Sequence, residues 1–261
     1  NMESKIIIFE SGISDGIMSN NKKFYPDNMS QEEINEKFLK TRIEFGKKNN
    51  IDGKKIYRAT QKNTINNLEY PDGQYVVLNP NKITEDAWYE QLEADIIILP
   101  NNDKRIVLAH QMADCPILIA EDRRLGITAL SHCGAVYINR LLPQQTIFAL
   151  QKEYNSNLQD IYVYVGSCAH KENYVYEKYP YWATNEEVWK DSIIKEKDNL
   201  FHIDMPRAIT RQLNSIDINN IEISPNDTII DERYYSHAGN YQGRKKVTGQ
   251  NLVGFYYKTS K

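Results

Sequence analysis

The sequence predicts an α+β fold built on a mixed sheet. Three observations carry this. Short apolar runs bounded by turn signals recur along the 261 residues and read as buried strands. Helical stretches fall between them without strict strand–helix–strand alternation, which disfavours a doubly wound parallel sheet. No glycine-rich phosphate loop follows a strand, so the dinucleotide-binding and P-loop architectures are excluded.

Lys5 to Glu10 (KIIIFE) is the first strand. The segment from Ser11 to Asn28, rich in Gly, Ser, Asn and Asp, is too long for a simple turn. Ser30 with Glu33 three residues on forms a capping box, and Ile34, Phe38, Ile43 and Phe45 give the apolar stripe of a helix reaching about Lys48. Strands follow at Lys54 to Gln61, Gln74 to Leu78 and Asp95 to Leu99, with a short helix from Glu85 to Leu92 that docks Trp88 on the sheet. The next stretch, Arg105 to Arg140, holds three strand-like runs: Ile106 to Ala109, Pro116 to Ala120 and Leu125 to Leu130, the last two separated by a charged turn from Glu121 to Arg124. Tyr137 to Tyr154 reads as one helix, with Pro143 in its first turns, where proline is tolerated. Ile161 to Gly166 is a strand. Helices follow at Glu186 to Ile194 and at Pro206 to Leu213, the latter capped by Asp204. Ile221 to Ile223 is a short strand, Asp227 to Gln250 a polar loop, and Leu252 to Tyr257 the closing strand. No internal repeat or low-complexity linker divides the chain, so one domain over residues 1–261 is expected.

Composition narrows the function. A 41% hydrophobic, 26% charged chain is an ordinary globular balance. The net charge of −3 offers no basic footprint for nucleic acid. No run approaches the length of a membrane-spanning helix, and no basic segment leads into an apolar one at the N-terminus, so neither a membrane nor a secretory route is expected. Three cysteines argue against a disulfide scaffold and for a reducing, cytoplasmic setting. A monomer acting on a small molecule is the expectation.

The chemistry concentrates in Arg105 to Arg140. Antiparallel strands joined by a short turn bring their ends together, which sets Asp114 and Cys115 beside His132. A histidine beside a cysteine favours thiolate, which attacks carbonyls or binds metal. Asp114 then either orients the imidazole or caps the turn. The plain alternative is a small buried cysteine and a satisfied strand-end histidine. Cys133 follows His132 directly, and Cys168 with His170 forms a Cys-x-His after a strand. Three such clusters suggest metal, yet none has the Cys-x-x-Cys spacing of a structural zinc site. His110 faces Cys115 or turns away, depending on strand register. His202, ahead of a helix, reads as structural, and His237 either closes over a site or is an exposed loop residue.

These residues resemble the YfiH-like laccase-domain family, also labelled multicopper polyphenol oxidoreductases, whose signature is T-A-D-C-x-P followed by H-A-G-W-R-G. Met112-Ala113-Asp114-Cys115-Pro116 and His132-Cys133-Gly134-Ala135-Val136-Tyr137 occupy those places. Phe9 to Gly16 resembles the early G-G-V-S turn, Thr41-Arg42 the Asn-Arg of the first helix, Val165 to Tyr176 the G-P-x-I-G-x-x-x-Y-E-V segment, and Tyr234 to His237 with Thr248 to Gln250 the closing F-F-S-[YH]-R-R and T-G-R. The resemblance implies a layered α/β/β/α domain similar to the cytotoxic necrotizing factor deamidases. It implies phosphorolysis or deamination of purine nucleosides, adenosine-type above all, although some relatives are linked to editing peptidoglycan precursors. It also implies a zinc held by two histidines and a cysteine. Four coppers would need many more histidines than five, so no copper cluster is expected.

On the matching positions, Cys115, His132 and Asp114 are the catalytic candidates, with Cys115 and His132 also metal ligands. Asn63, Arg42, Arg140, Ser236 and His237 are the substrate-binding candidates. Several departures stand out. Gln61-Lys62-Asn63-Thr64 puts Asn63 where the family has a ligand histidine, so zinc needs His110 or His170 as its third ligand. Ala135-Val136 replaces the Trp-Arg, Ala238-Gly239 the double arginine, and Gln250 the arginine of T-G-R, which weakens phosphate binding in particular. Arg140, Arg244 and Lys246 are the nearby cations that could compensate. The alternatives are a metal-free Cys–His hydrolase or deamidase with Cys115 as nucleophile and His132 as base, and an inactive relative serving as a binding module.

Overall fold

Two stacked sheets and two outer helical layers organise the protein, seen in a computed structural model that describes residues 2–60, 74–82, 91–101 and 106–258. The first sheet contains β1 (Ile6–Glu10), β2 (Ile56–Thr60), β4 (Gln91–Glu93), β6 (Val107–Met112) and β14 (Asn251–Tyr257), in the order β1-β14-β6-β2-β4. The second contains β3 (Tyr75–Val77), β5 (Ile96–Pro100), β7 (Ile117–Asp122), β8 (Ile127–His132), β9 (Ile161–Val165) and β13 (Ile221–Ile223), in the order β13-β9-β7-β8-β5-β3. Both sheets are mixed: β2 runs parallel to β6 and β4, and β13 to β9, while β7, β8 and β5 are antiparallel neighbours.

The period of two along each strand decides what each face meets. Ile106, Leu108 and Met112 in and beside β6, Ile117 and Ile119 of β7, Leu130 of β8 and Phe255 of β14 share the apolar layer between the sheets. The opposite faces bury against helices. Val107 and Ala109 pack with Phe45 of α1 (Gln31–Asn49). Leu118, Ala120 and Ala129 pack with α3 (Leu142–Tyr154) and α5 (Met205–Asn214). The layering is therefore α/β/β/α.

α1 starts where its capping box places it: Ser30 accepts from Glu33 N–H, and Glu33 reaches back to Ser30 N–H. Its buried stripe is Ile34, Phe38, Arg42 and Phe45, so a guanidinium takes the slot that the apolar pattern assigned to Ile43. Arg42 is buried, stacked 5.0 Å from the centre of the Phe38 ring, and donates to the Ile56 carbonyl.

Several expected boundaries change. The single helix from Tyr137 divides into α2 (Ala135–Asn139) and α3, because Leu141 takes a left-handed conformation at φ 68° and Pro143 opens the second helix rather than the first. The helix from Glu186 stops at Trp189 (α4, Glu186–Trp189). The chain then turns into β11 (Ile193–Lys195), which pairs with β12 (Phe201–Ile203) and, through it, with β10 (Val175–Tyr176) in a small sheet. The loop from Asp227 contains α6 (His237–Tyr241), capped by Ser236, with Tyr234 and Tyr235 buried ahead of it. Gln91 and Leu92 belong to β4 rather than to a helix, and the remainder of that expected helix, with Trp88, lies outside the described residues. Among the described residues no helix is long and apolar enough to cross a membrane.

Candidate functional site

The end of the inter-sheet layer collects the polar residues of the central stretch, and strand parity explains why. β7 and β8 pair with Ile117 opposite His132. Cys115 shares the parity of Ile117 and Ile119, His132 that of Leu130, and His110 that of Leu108 and Met112. All three sets point between the sheets. His110 on the first sheet therefore meets His132 on the second across the layer. Their Nδ1 atoms are 3.2 Å apart, and their rings stand edge to face with centroids 4.5 Å apart. The register question for His110 is thereby answered: it faces His132.

Gly134 marks where Cys115 lies. A Cβ on Gly134 would stand 3.0 Å from Cys115 Sγ and 3.8 Å from His132 Nε2. The sulfur and the outer imidazole nitrogen thus flank one glycine, which the chain needs there for space. His132 presents Nδ1 to His110 and Nε2 to the side where Cys115 sits.

Burial sets the charge state of this cluster. It pushes the Cys115 thiol up to about 12, with the Asp114 charge adding to the effect. It holds His110 down at about 4, and His132 well below the ordinary imidazole range, where the neighbouring His110 adds to the depression. At neutral pH the site is a thiol beside two neutral imidazoles, not a thiolate–imidazolium pair.

Asp114 is placed differently from an imidazole orienter. Its Oδ1 accepts from Ser236 Oγ at 2.6 Å and from Thr228 Oγ1 at 2.8 Å, and its Oδ2 from Ala238 N–H at 2.7 Å. The Ala169 N–H donates to its carbonyl. Buried Asp114 therefore ties α6 and the segment after β9 to the strand end that carries Cys115. Burial raises its carboxyl above the usual range, against the pull of these donors.

The other candidates fall at varying distance from this cluster. Ser236 caps α6 and binds Asp114, so it supports the site through that carboxylate. His237 begins α6 and is exposed. Arg42 is in the α1 layer behind the first sheet, among Phe38 and Ile56. Arg140 ends α2, the short helix that begins just after Gly134. Arg244 is exposed and donates to Asn173 Oδ1 at 2.6 Å; Lys246 is exposed. His170 is half-buried after β9, and its Nε2 is buried without a hydrogen-bond partner. His202 is held by the Lys171 carbonyl and Asp198, each at 2.9 Å, which fits its structural reading. Cys133 turns to the opposite face from Cys115 and packs in the helical layer, near Ser131 Oγ. Asn63 lies outside the described residues.

The donor types suit zinc, but among the described residues no three His, Cys, Asp or Glu side chains converge to hold an ion. His110 meets the Nδ1 side of His132, and Cys115 lies across Gly134 from its Nε2. Thr228 and the role of Ser236 were not legible in the sequence, since a hydroxyl that binds a distant carboxylate leaves no local pattern.

Comparison with known proteins shows the family and the fold. The family described as multi-copper polyphenol oxidoreductase laccase matches residues 49–255. A purine nucleoside phosphorylase of Clostridium acetobutylicum is 23% identical over 187 residues, covering 64% of this chain and 77% of that protein. Among solved structures, a Neisseria meningitidis protein of 14% identity superposes with a TM-score of 0.68 over 99% of this chain and 96% of its own. The hypothetical protein YfiH of Bacillus licheniformis, 15% identical, gives 0.66 over 85% and 81%. YlmD of Geobacillus stearothermophilus, 14% identical, gives 0.64 over 85% and 80%.

Proposed function

The chain belongs to the multi-copper polyphenol oxidoreductase laccase family, the YfiH-like laccase-domain proteins, and on that premise we propose that it is a divergent purine nucleoside enzyme. Its substrates are adenosine-type nucleosides, and its chemistry is phosphorolysis, deamination or both. One observation carries the reading: the two signature residues, Cys115 and His132, flank Gly134 at the end of the inter-sheet layer, in a fold that matches the family over most of the chain. The curated relative named a purine nucleoside phosphorylase supports the substrate class.

The charge state of the site agrees with an uncharged nucleoside. A neutral imidazole and a thiol offer hydrogen bonds without a fixed ion, which suits a nucleobase edge. The family's arginine positions are Ala135-Val136, Ala238-Gly239 and Gln250, so phosphate has fewer guanidinium partners than in the family pattern. That favours attack by water over phosphorolysis. The metal-free hydrolase with Cys115 as nucleophile loses support, because a thiol pushed to about 12 supplies little thiolate at neutral pH.

The test is turnover of adenosine, inosine and methylthioadenosine, with and without phosphate, with and without added zinc, products being separated by chromatography. Turnover lost in Cys115→Ala and His132→Ala is expected, with weak dependence on phosphate. No conversion of any nucleoside under any of the four conditions would overturn the reading.

A further inference from the structure

We propose that Tyr174, Tyr176 and Trp182 seat the purine base of the nucleoside, as an aromatic wall that carries one spare hydroxyl proton beside Cys115. The inference rests on the nucleoside reading and adds to it the groups that recognise the base.

The chain brings this wall to the cysteine in a few steps. The β7–β9 ladder pairs Leu118 with Val165, and the Gly166 N–H donates to the Ile117 carbonyl at 2.9 Å. Past the strands the Ala169 N–H donates to the Asp114 carbonyl at 2.9 Å, so the segment after β9 runs alongside the residues that carry Cys115. His170 then opens a tight turn, closed by the Tyr174 N–H on the His170 carbonyl at 2.8 Å. Asn173 in that turn donates to Asp227 Oδ2 at 2.7 Å, and its carbonyl accepts from Gln242, just after α6. Tyr174 is thereby held close to Asp114 and Cys115. Burial pushes its phenol up, and the charges of Tyr176, Cys115 and Asp114 add to the effect, as nearness requires.

Alternation puts Tyr174 and Tyr176, two residues apart at β10, on one side of the strand. Their rings stand edge to face with centroids 5.5 Å apart, and their hydroxyl oxygens are 3.2 Å apart. Trp182 continues the row, edge to face with Tyr176 at 6.2 Å. All three are half-buried on the same apolar layer as Ala135 and Ala238, the first next to Gly134 and the second bound to Asp114. The hydroxyl pair shares one proton, and the other O–H has no acceptor among the described residues. Tyrosines kept for packing alone would bury their hydroxyls with partners. This row instead keeps a donor and half-open aromatic surface. A purine matches both, with a flat face for the rings and acceptor atoms on its edge for the O–H. Ribose offers hydroxyls but no flat face.

The experiment is titration calorimetry with inosine in phosphate-free buffer, where the ligand has no amino group to lose and no phosphate to react with. Wild-type protein should bind inosine and not ribose. The double variant Tyr174→Phe with Tyr176→Phe keeps the rings and removes both hydroxyls. It should bind inosine about tenfold or more weakly, with Tm within a few degrees of wild type. In turnover of adenosine the same variant should raise KM by that factor, with kcat within about threefold. Equal inosine affinity in the two proteins, no inosine binding by wild type, or ribose binding that falls alike in the variant would overturn the proposal. If the double variant does not fold, nuclear Overhauser contacts between inosine base protons and tyrosine rings of wild-type protein decide, and their absence overturns it. Adenosine turnover beside unchanged inosine affinity in the variant sinks this inference alone. Tyrosine-dependent inosine binding in a protein that converts no nucleoside sinks the functional reading alone.

Discussion

Lowering the pH from 7 to 5 should cost the fold about 2 kcal/mol through His110 alone. Burial holds this imidazole near 4, against 6.5 when unperturbed. Between those values the unfolded chain binds a proton that the folded chain refuses, so unfolding gains as pH falls. The contribution is fully present above about 6.5 and is lost progressively as pH falls toward 4. At pH 5 the unfolded imidazole is almost wholly protonated and the folded one scarcely, and the ratio of the two binding polynomials gives about 2 kcal/mol. His132 is depressed further and acts in the same direction. Asp114 acts oppositely, because its raised folded value stabilises the protein at low pH and loses that effect as pH rises. The control for this offset is His110→Gln, which keeps a polar side chain and removes the titration. Urea unfolding at both pH values should show the wild type losing about 2 kcal/mol more than the variant. Equal losses would refute the claim that burial keeps His110 neutral.

Three further outcomes are expected. Asp114→Asn turns an amide donor toward the donors of Ser236, Thr228 and Ala238, and should cost about 3 kcal/mol, read as a fall of several degrees in Tm. Gly134→Ala places a methyl 3.0 Å from Cys115 Sγ at an ordinary φ of −62°, so it should cut turnover at least about tenfold while Tm moves by only a few degrees. Cys115 in folded protein at pH 8 should react with iodoacetamide about a thousandfold more slowly than an unfolded thiol, and peptide mapping before and after urea would check it.

What was legible in the sequence follows from what each feature depends on. β5, β7 and β8 stood out because strands buried on both faces are continuous apolar runs, and each was expected within two residues of where it ends. That Cys115 and His132 come to the same end of β7 and β8 was legible for the same reason, since a tight antiparallel pair fixes its own register. His110 was not, because its partner comes from the other sheet and no local pattern encodes the stacking of two layers. The break at Leu141 was hidden by a leucine in a left-handed conformation that the residue type disfavours. The short α6 has the composition of a loop, and its place is fixed instead by Asp114 reaching it from far along the chain. Arg42 entered an apolar stripe unnoticed because a guanidinium stacked on Phe38 can occupy a core slot.

The residues that match the family signature do not all carry the same meaning. Asp114 and Gly134 have packing reasons to be where they are, the first as a tie between segments and the second for lack of room. Cys115, His132 and His110 have none of that kind. The His110 Nε2 is buried without a partner, and an orphaned buried polar atom costs about 1–3 kcal/mol. A fold that had retired this site would gain by filling it with apolar side chains. The prediction is a double substitution, His110→Leu with His132→Leu, which removes both partners of the 3.2 Å contact at once and leaves neither imidazole unpaired. Replacing both members of a buried polar pair by apolar groups of similar shape is close to neutral or stabilising, whereas removing one takes a partner from the other. The double variant should therefore match or exceed the wild-type urea midpoint, each single variant should fall below it, and nucleoside turnover should vanish in all three. A double variant less stable than wild type by more than about 2 kcal/mol would show that the histidines are held for packing, and the stability argument for an active site would fail.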